Sequence, residues 1–386
     1  MRVFGITGTN GKTTTAYLTR HIFSRHGEPT GTITTIEYGI KDRTIPASRT
    51  TPEAPVLQFL LSQMRTAGCI NAVMEVSSHA LVQKRVAGIE FDCAIFTNLT
   101  RDHLDYHKSR ENYIAAKELL FLELGKGKKK AVAIINADDP CAERMIKAVN
   151  GRGQIITYGI NNKCDVNALD IRFLPEGLSF RVKSPWGEVK ITSNLMGRFN
   201  VYNILAALSA CSAFNVRLEE IADSILTMQQ VPGRLEEVKN DKGFKIFVDY
   251  AHTDDALENV LRTLREVTKK RLIVVFGCGG NRDVTKRPAM GRVAGQLADF
   301  TIVTSDNPRK EDPLKIIEEI KAGIPPSALF EIESDRKEAI KKAINYANTG
   351  DIILIAGKGH EKFQEFANIT VLFDDRLVAA ELLKTK

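Results

Sequence analysis

Three features that would indicate other classes of protein are missing from this sequence. The six cysteines include no C-x-x-C pair, so neither a disulfide framework nor a zinc site is indicated, and we expect lone buried thiols. No apolar run approaches the roughly 18 residues that a membrane span needs. Segment 1–6 enters a strand-like run directly and lacks a secretory hydrophobic region. We therefore predict a cytoplasmic location without membrane insertion.

The composition is that of an ordinary globular protein. The chain has 386 residues, of which 43% are hydrophobic and 26% charged, which predicts two or three domains. A net charge of +7 fits either nucleic acid or a small polyanionic substrate. The densest basic run, Lys126 with Lys128–Lys130, has no interleaved aromatic residues. We predict a solvated loop there and no nucleic-acid partner.

Strand-like and helix-like runs alternate along the first half, which is typical of parallel α/β layers. Strands are predicted at 2–6, 71–76, 93–97 and 131–136, and helices at 13–25, 53–66, 111–123 and within 200–228. Residues 155–193 read differently, because short alternating runs are separated by the turns Pro175–Gly177 and Ser184–Gly187. This pattern predicts a small antiparallel β patch.

The clearest break in regular secondary structure is predicted at Val231–Arg234, which reads V-P-G-R. We place a domain boundary there, giving domains 1–231 and 232–386. In the second domain, strands are predicted at 244–249, 271–276, 300–304 and 351–356, and each is followed by a polar loop. The carboxyl ends of parallel strands share one edge of a sheet, where ligands bind, so the four loops predict a binding edge.

Residues Gly8–Thr14 read G-T-N-G-K-T-T between a strand-like run and a helical run. Such a turn directs backbone N–H groups and a helix N-terminus at an anion. Lys12 would reach the outer phosphates and Thr13 could ligate Mg²⁺. The usual first glycine is replaced by Ile6, so this is a shortened loop; we predict ATP binding.

Other candidates follow neighbouring strands. Glu75 ends a strand where a Mg²⁺ ligand would lie, although a salt bridge explains it equally well. Five of the seven histidines lie in strand-end loops, which favours function over the structural role usual for a single histidine: His79, His103, His107, His252 and His360.

Lys117 falls near the apolar face of its predicted helix, beside Ile114 and Leu120. A buried ammonium is costly, so the side chain would pair, lose its proton or be modified, unless it extends to the surface. Arg309 offers a planar fork for a carboxylate, and Asp306 and Glu361 could hold an ammonium, which together suit an amino acid. Capping and surface roles remain the alternative for each residue alone.

Taken together, the motifs resemble those of the Mur ligases, in order along essentially the whole chain. They are G-T-N-G-K-T-T, M-E-V-S-S-H, T-N-L-T-R-D-H-L-D-Y-H, A-A-K-E-L-L-F, F-N-V-Y-N, P-G-R-L-E, V-D-Y-A-H-T, G-C-G-G-N-R-D, K-R-P-A-M, D-N-P-R and G-K-G-H-E. The resemblance implies a P-loop-type central ATPase domain with the β patch, then a Rossmann-like C-terminal domain that binds the incoming amino acid.

The resemblance also implies the activity. The Mur ligases whose motifs this sequence resembles use ATP to add meso-diaminopimelate to UDP-N-acetylmuramoyl-L-alanyl-D-glutamate. The reaction passes through an acyl phosphate and belongs to peptidoglycan synthesis. D-N-P-R is the form associated with diaminopimelate, whose second carboxylate suits Arg309. We expect a monomer in which closure about 231–234 assembles the site.

The implied site residues follow the motifs. Catalysis would involve Lys12, His103, Lys117 and Arg234, with Lys117 carbamylated to N6-carboxylysine. ATP would contact Gly8, Thr9, Asn10, Gly11, Lys12, Thr13, Thr14, Asn203, Arg234, Asp249 and His252. Mg²⁺ would be held by Thr13, Glu75, His103 and Lys117. The muramoyl-dipeptide would contact Thr50, Thr51, Ser77, Gln83 and Arg85, and the amino acid Arg282, Asp306, Asn307, Pro308, Arg309, Gly357 and Glu361.

Two departures from the family pattern matter. Members normally carry a leading domain that grips the uridine nucleotide, whereas this sequence begins at the first ATPase strand, so we expect weakened donor binding before any loss of catalysis. Asp254 stands where relatives commonly have proline, but it removes no reacting group. Two alternatives stay open: a related ligase with a donor that lacks UDP, such as a folylpolyglutamate-synthase-like enzyme, and a non-catalytic nucleotide-binding paralogue.

Overall fold

The computed structural model describes residues 1–127, 130–174 and 176–384. It contains two compact units, Met1–Gln229 and Gln230–Lys386, and the predicted boundary lay between 231 and 232. Lys128, Lys129 and Pro175, on which a predicted loop and turn partly depend, lie outside the described residues.

The first unit is built on one eleven-stranded sheet, with the order β11-β10-β9-β8-β7-β6-β1-β5-β2-β3-β4. Its strands are β1 Arg2–Thr7, β2 Thr30–Ile33, β3 Glu37–Ile40, β4 Arg43–Pro46, β5 Asn71–Glu75, β6 Cys93–Phe96, β7 Ala131–Asn136, β8 Gly153–Gly159, β9 Val166–Leu174, β10 Gly177–Ser184 and β11 Gly187–Ser193. The four strands predicted for the first half are confirmed as β1, β5, β6 and β7.

The prediction of an antiparallel patch over 155–193 is correct only for its second part. β10 pairs antiparallel with β9 and β11, but β8 pairs parallel with β7, and β9 pairs parallel with β8. The hairpins therefore extend the main sheet. Along β8, partly exposed residues alternate with buried ones, a pattern typical of antiparallel strands. This alternation explains why β8 was predicted to be antiparallel.

Helices cover this sheet and supply its core. They are α1 Lys12–Arg25, α2 Ala54–Thr66, α3 Ser78–Val82, α4 Leu104–His107, α5 Arg110–Glu123, α6 Ala142–Val149, α7 Arg198–Ala213 and α8 Leu218–Leu226. Leu57 of α2, Phe121 of α5 and Met145 of α6 are buried in one cluster with side chains of the strands. Burial of each such side chain contributes about 1.5–3 kcal/mol. Helix α7 is buried almost all round, so it is part of the core itself.

One end of the sheet is a short exposed strand. All four residues of β4 are exposed, and its final residue, Pro46, pairs in register with Glu37 of β3. Proline has no N–H to donate to a further strand, and Arg43 adds charge at the other end of β4.

The second unit contains a six-stranded sheet and a separate hairpin, β18–β19. The sheet order is β12-β13-β17-β14-β15-β16, and every pair except β12–β13 is parallel, which confirms the predicted Rossmann-like α/β fold. The strands are β12 Glu236–Glu237, β13 Lys245–Asp249, β14 Leu272–Phe276, β15 Phe300–Val303, β16 Phe330–Ile332, β17 Ile352–Ala356, β18 Phe363–Glu365 and β19 Thr370–Leu372.

The helices of this unit are α9 Asp254–Val267, α10 Lys286–Leu297, α11 Pro313–Lys321, α12 Arg336–Tyr346 and α13 Asp375–Leu383. Side-chain caps fix several of their starts: Thr253 accepts a hydrogen bond from the N–H of Ala256, and Asp335 accepts from the N–H of Lys337. Among the described residues of both units, no helix is long and apolar enough to cross a membrane.

Candidate active site

The loop between β1 and α1 is shaped by two glycines. Gly8 has φ 151° and Gly11 has φ 87°, conformations that side chains disfavour. A Cβ atom on Gly8 would lie 1.9 Å from Oγ1 of Thr97, and one on Gly11 would lie 2.3 Å from Oδ1 of Asn203. Gly11 caps α1 without a side-chain hydrogen bond, so the N-terminus of α1 faces the loop with its backbone N–H groups. This arrangement suits an anion such as a phosphate.

The remaining loop residues are fixed by the strand-end segment after β6. The N–H of Thr9 donates to the carbonyl of Asn98 at 2.8 Å, and the N–H of Asn10 donates to Oδ1 of Asn98 at 2.9 Å. Asn203 and Thr14 are both buried, and Oγ1 of Thr15 donates to Oδ1 of Asn203 at 3.5 Å. The structure thus places Asn203 against the loop.

Two lysines converge on one backbone oxygen of this loop. Nζ of Lys12 and Nζ of Lys117 each donate to the carbonyl of Gly8 at 2.8 Å, and Lys12 also donates to Thr9. Lys117 is only 1% exposed, so the prediction of a buried amine is confirmed over the surface alternative. Two ammonium groups on one carbonyl repel each other, because a single neutral oxygen neutralises neither charge.

The surroundings of Lys117 oppose its positive charge. Burial and the nearby Lys12 lower the pKa of Lys117 well below its ordinary value, while Asp102 acts in the other direction. Its Nζ also lies 4.5 Å from the ring centre of Tyr113, whose hydroxyl is 3.1 Å from Oγ1 of Thr9. This environment favours a Lys117 side chain that is neutral or chemically modified.

An oxygen-rich pair lies at the start of α1. Oγ1 of Thr13 donates to Oε1 of Glu75 at 2.8 Å, and the same carboxylate oxygen accepts from the N–H of Thr35 at 3.0 Å. Glu75 and Thr13 are buried, and β5 ends at Glu75, as predicted. Hydroxyl and carboxylate oxygens are the ligands that Mg²⁺ prefers, so this pair fits a magnesium ion beside the phosphates. No group of three or more His, Cys, Asp and Glu within the described ranges is arranged to hold a metal by itself.

His103 lies in a cluster of aromatic rings, which we call the histidine cluster: His79, His103, Tyr106, His107 and Tyr113. The ring of His103 is centred 4.9 Å from that of His79, and its Nε2 is 3.3 Å from Asp102. Burial lowers the pKa of His103 to about 4, with Asp102 opposing. At neutral pH the imidazole is therefore uncharged, the form that can ligate a metal.

Four of the five residues predicted for the muramoyl-dipeptide form a connected network. Oγ1 of Thr51 donates to the carbonyl of Glu75 at 2.7 Å and accepts from the N–H of Ser77 at 3.0 Å. Arg85 donates to the carbonyl of Thr51 and to Oε1 of Gln83, both at 2.9 Å. Oγ1 of Thr50 donates to Oγ1 of Thr35 at 3.2 Å. The network joins the carboxyl end of β5 to the segment after α3.

In the second unit, two predicted nucleotide contacts, Arg234 and His252, lie beside Tyr250, and a third, Asp249, precedes it in the chain. The guanidinium of Arg234 lies 4.8 Å from the centre of the Tyr250 ring, and the ring of His252 lies 4.6 Å from it. Asp249 accepts from the N–H groups of Leu235 and Ala251, each at 2.7 Å. Burial raises the pKa of Asp249, and the charge of Arg234 acts against this shift.

The four predicted loops lie at the same edge of the sheet, because they follow β13, β14, β15 and β17, which pair in parallel. That this edge binds a ligand stays a prediction. The segment 306–309, which we call the D-N-P-R turn, begins with the buried residues Asp306, Asn307 and Pro308. Gly357 has φ 113°, and a Cβ there would lie 2.5 Å from Oδ2 of Asp306. Glycine at 357 therefore leaves room for the Asp306 carboxylate.

Glu361 is already paired within the chain. Its Oε2 accepts from Nζ of Lys358 at 3.1 Å and from Nδ2 of Asn307 at 2.8 Å. Lys358 is completely buried and also donates to Oδ1 of Asn307 at 3.0 Å. Burial raises the pKa of Glu361, and Lys358 opposes that shift.

Arg309 and Arg282 differ in how firmly they are held. Arg309 has φ 52°; its Nε donates to Oε2 of Glu365 at 2.7 Å and its Nη1 to the carbonyl of Gly280 at 2.9 Å. Arg282 is exposed and donates a long 3.4 Å bond to the carbonyl of Asn281. The structure therefore brings Arg309 into the turn and leaves Arg282 at the surface.

A buried ion pair contacts the ends of two strands at this edge. Arg336, at the start of α12, donates from Nε and Nη2 to the two carboxylate oxygens of Asp375, both at 2.8 Å. It also donates to the carbonyls of Ser305 and Ala356, which follow β15 and end β17. The pair thus fixes the ends of two strands from which the D-N-P-R turn and Gly357 continue.

Sequence reasoning missed several of these residues. Tyr113 had a usable signal, since it lies one helical turn before Lys117. Lys358 lies inside the quoted G-K-G-H-E motif. Glu365 gave no signal, because it belongs to a short hairpin strand and meets Arg309 across 56 positions of sequence.

These features define a class of protein: a phosphate-binding loop that follows a strand in the parallel part of a mixed sheet, in a chain with a second, Rossmann-like unit. Sequence models of the Mur ligase middle domain and of the Mur ligase glutamate ligase domain match residues 6–211 and 233–359. The chain belongs to the Mur ligase family.

Two similar relatives are ligases of this family that share one name. The chain is 46% identical over 390 residues to the UDP-N-acetylmuramoyl-L-alanyl-D-glutamate--2,6-diaminopimelate ligase of Geobacillus kaustophilus (strain HTA426), and 45% identical over 390 residues to that of Geobacillus thermodenitrificans (strain NG80-2). Each comparison covers 100% of this chain and 79% of the relative. A solved structure of a ligase with this name is similar with a TM-score of 0.71 at 37% identity, over 100% of this chain and 78% of that one.

Proposed function

We propose that this chain is an ATP-dependent, ADP-forming ligase that joins meso-diaminopimelate to the D-glutamyl carboxylate of UDP-N-acetylmuramoyl-L-alanyl-D-glutamate. The names of the relatives support the two substrates. The observation that carries the chemistry is the meeting of Lys12 and Lys117 at the Gly8 carbonyl, with Thr13 and Glu75 at the start of the same helix. A loop that only bound a nucleotide would not need the buried Lys117 beside it.

The first step activates the acid. A carboxylate oxygen of the donor attacks the γ-phosphorus of ATP, the bond from that phosphorus to the bridging oxygen breaks, and ADP leaves with the electron pair. Lys12 and the N–H groups at the start of α1 stabilise the negative charge on the phosphates. Thr51, Ser77, Gln83 and Arg85 are the residues proposed to orient the donor.

The second step forms the amide. The neutral amine of diaminopimelate attacks the acyl carbon, the carbon–oxygen bond to phosphate breaks, and phosphate leaves. The amine loses one proton, which the departing phosphate accepts. The D-N-P-R turn, Gly357 and Glu361 are proposed to hold the amino acid, with the Arg309 fork on its distant carboxylate.

Magnesium is proposed to be held by Thr13, Glu75, His103 and a carbamylated Lys117, and when bound it neutralises charge on the phosphates. The hydrogen-bonded oxygens of Thr13 and Glu75 support this proposal. Carbamylation fits the environment of Lys117 for a separate reason. It replaces a buried cation next to Lys12 by an anion, and so changes a repulsion into an attraction.

The test is release of phosphate from ATP and Mg²⁺ with UDP-N-acetylmuramoyl-L-alanyl-D-glutamate and either meso-diaminopimelate or lysine. We expect turnover with diaminopimelate only. Arg309→Ala should raise the KM for diaminopimelate by at least about tenfold, with little change for ATP, since a charge-assisted bidentate pair is lost. Arg262→Ala, which removes an exposed arginine of α9 paired with Glu258, is the matched control. Equal use of lysine by the natural chain would refute the proposed role of Arg309.

A further inference from the structure

Tyr106 ends a chain of hydrogen bonds that begins at the phosphate loop, and the proposed mechanism makes no use of it. Oγ1 of Thr13 donates to the side chain of Glu75, and the carbonyl of Glu75 accepts from Oγ1 of Thr51. Nη1 of Arg85 in turn donates to the carbonyl of Thr51 at 2.9 Å. Because Arg85 is buried, the outer part of the chain starts from a fixed anchor.

The direction of each bond beyond Arg85 follows from the chemistry of the groups. A guanidinium has N–H donors and no acceptor, so the Gln83 amide must turn its oxygen towards Arg85, where Oε1 accepts from Nε at 2.9 Å. The amide then presents its nitrogen to Tyr106, and Nε2 of Gln83 donates to the Tyr106 hydroxyl at 3.2 Å. The hydroxyl oxygen is therefore an acceptor in this chain, and its proton is left for another partner.

The Tyr106 hydroxyl is accessible and held in place. Its proton has no acceptor among the contacts of the described residues, and Tyr106 is 37% exposed. Within the histidine cluster, the Tyr106 ring is centred 4.1 Å from that of His79 and 4.9 Å from that of His107. Since Gln83 holds the hydroxyl and two rings hold the aromatic body, Tyr106 forms a positioned hydrogen-bond donor at the surface of the site.

A ligand group that meets this hydroxyl must be an acceptor, such as a carbonyl or carboxylate oxygen. The L-alanyl-D-glutamyl part of the muramoyl-dipeptide carries several such oxygens. Its reacting carboxylate has to reach the phosphates, and the hydrogen-bond chain starts at Thr13 of the phosphate loop. The dipeptide part of this substrate is therefore the part best placed to meet Tyr106.

We infer that the Tyr106 hydroxyl donates a hydrogen bond to a carbonyl or carboxylate oxygen in the dipeptide part of the muramoyl-dipeptide, and so contributes to binding of this substrate. The inference rests on the proposed function. It adds a contact from α4, which follows β6, to the contacts proposed for residues 50–51 and 77–85. The substrate would then be held from the loops that follow two different strands.

The test is phosphate release with saturating ATP and meso-diaminopimelate and a varied concentration of the muramoyl-dipeptide. Tyr106→Phe removes the hydroxyl and keeps the ring on His79. We expect the KM for the muramoyl-dipeptide to rise about three- to tenfold, as for the loss of one hydrogen bond, with kcat and the KM values for ATP and diaminopimelate retained. Tyr346→Phe is the matched control, since Tyr346 is 41% exposed and its ring also stacks on a neighbour, Phe300.

A double change separates direct contact with the substrate from support of Gln83. If the Tyr106 hydroxyl only held Gln83, Tyr106→Phe would have no further effect once Gln83 is replaced by alanine. We expect Tyr106→Phe to raise the KM for the muramoyl-dipeptide by a further factor of about three or more in Gln83→Ala, because the bond to the substrate is a separate one.

Absence of that further rise would overturn the inference, and so would an unchanged KM for the muramoyl-dipeptide in Tyr106→Phe alone. Equal increases in the KM values of all three substrates would also overturn it, since they would indicate a general disturbance of the site. Absence of turnover with diaminopimelate in the natural chain would refute the proposed function and this inference with it, so the two failures are distinguishable.

Discussion

At the scale of single residues, the main feature is the buried amine of Lys117. It shares the Gly8 carbonyl with Lys12 and is surrounded by Tyr113 and the backbone of the phosphate loop. A cation at this position is unfavourable, whereas a carbamate would attract both Lys12 and a metal ion. The chemical state of the Lys117 side chain therefore decides the net charge around the phosphate loop.

Lys117→Ala should lose nearly all phosphate release, and short carboxylic acids such as acetate should restore part of it. The physical reason is that a free carboxylate can occupy the space of the missing carbamate. The measurement is the rate of phosphate release with and without added acetate, with thermal unfolding as a check on folding. Lys147→Ala, which removes a lysine whose side chain is 77% exposed, is the control. Normal activity in Lys117→Ala would contradict the carbamate.

A second residue-scale prediction compares two glycines with nearly equal backbone strain. Gly11 has φ 87° and a Cβ there would lie 2.3 Å from Asn203, whereas Gly27 has φ 84° and nothing within 4 Å. Gly27→Ala should cost only about 1 kcal/mol of stability, from its left-handed conformation. Gly11→Ala should in addition abolish detectable binding of an ATP analogue in calorimetry, because the loop must shift. Equal effects of both changes would mean that the contact with Asn203 does not shape the loop.

At the scale of elements, the strands of the parallel core were predictable within one or two residues. Runs such as 131–136 are apolar throughout because both faces of the strand are covered, and few other structures produce that pattern. The strands β2, β3 and β4 were missed, since residues 30–46 mix threonine, glycine and charged residues. β19 was missed for a related reason: Leu372 is 92% exposed, so its hydrophobicity does not indicate burial.

In the candidate site as well, local features could be predicted from the sequence and long-range contacts could not. Residues within one motif, such as Thr13 and Lys12, could be predicted because local backbone geometry fixes them. Contacts that depend on how distant loops meet could not, and Glu365 with Arg309 is the clearest case. Lys117 is intermediate, since its burial was predictable from helical spacing, but its contact with Gly8 lies 109 positions away.

The ion pair that supports the second sheet gives an element-scale prediction. Arg336→Met should destabilise the second unit by about 3–5 kcal/mol, because it leaves the Asp375 carboxylate buried without its partner. The double change Arg336→Met with Asp375→Leu should recover much of that loss. Hydrogen exchange of the amides of β15 and β17, measured by mass spectrometry, reports the local stability.

The control for this pair is Lys337→Met, one position further along α12. Lys337 pairs with Glu381, but both side chains are exposed, so the change should cost no more than about 1 kcal/mol. A loss in Arg336→Met no greater than in Lys337→Met would show that the buried pair does not hold the strand ends.

At the scale of the whole molecule, the proposed chemistry is divided between the two units. We expect formation of the acyl phosphate to depend on the phosphate loop of the first unit, with the proposed nucleotide contacts Arg234, Asp249 and His252 of the second. We expect capture by the amine to depend on the D-N-P-R turn. Arg309→Ala should therefore still form the acyl phosphate from ATP and the muramoyl-dipeptide, which hydroxylamine traps as a hydroxamate. Lys12→Ala should form little hydroxamate, because the phosphates lose their nearest cation. Loss of hydroxamate in Arg309→Ala to the level of Lys12→Ala would contradict this division.

The short edge strand β4 has a further consequence for the molecule in a concentrated solution. A large sheet that ended in a long, apolar, fully hydrogen-bonding strand would offer a template on which a second copy could add its own strand, and so on into a fibre. Pro46 interrupts that template at one end and Arg43 charges it at the other. The length of the sheet can therefore grow to eleven strands without this edge becoming a seed for polymerisation.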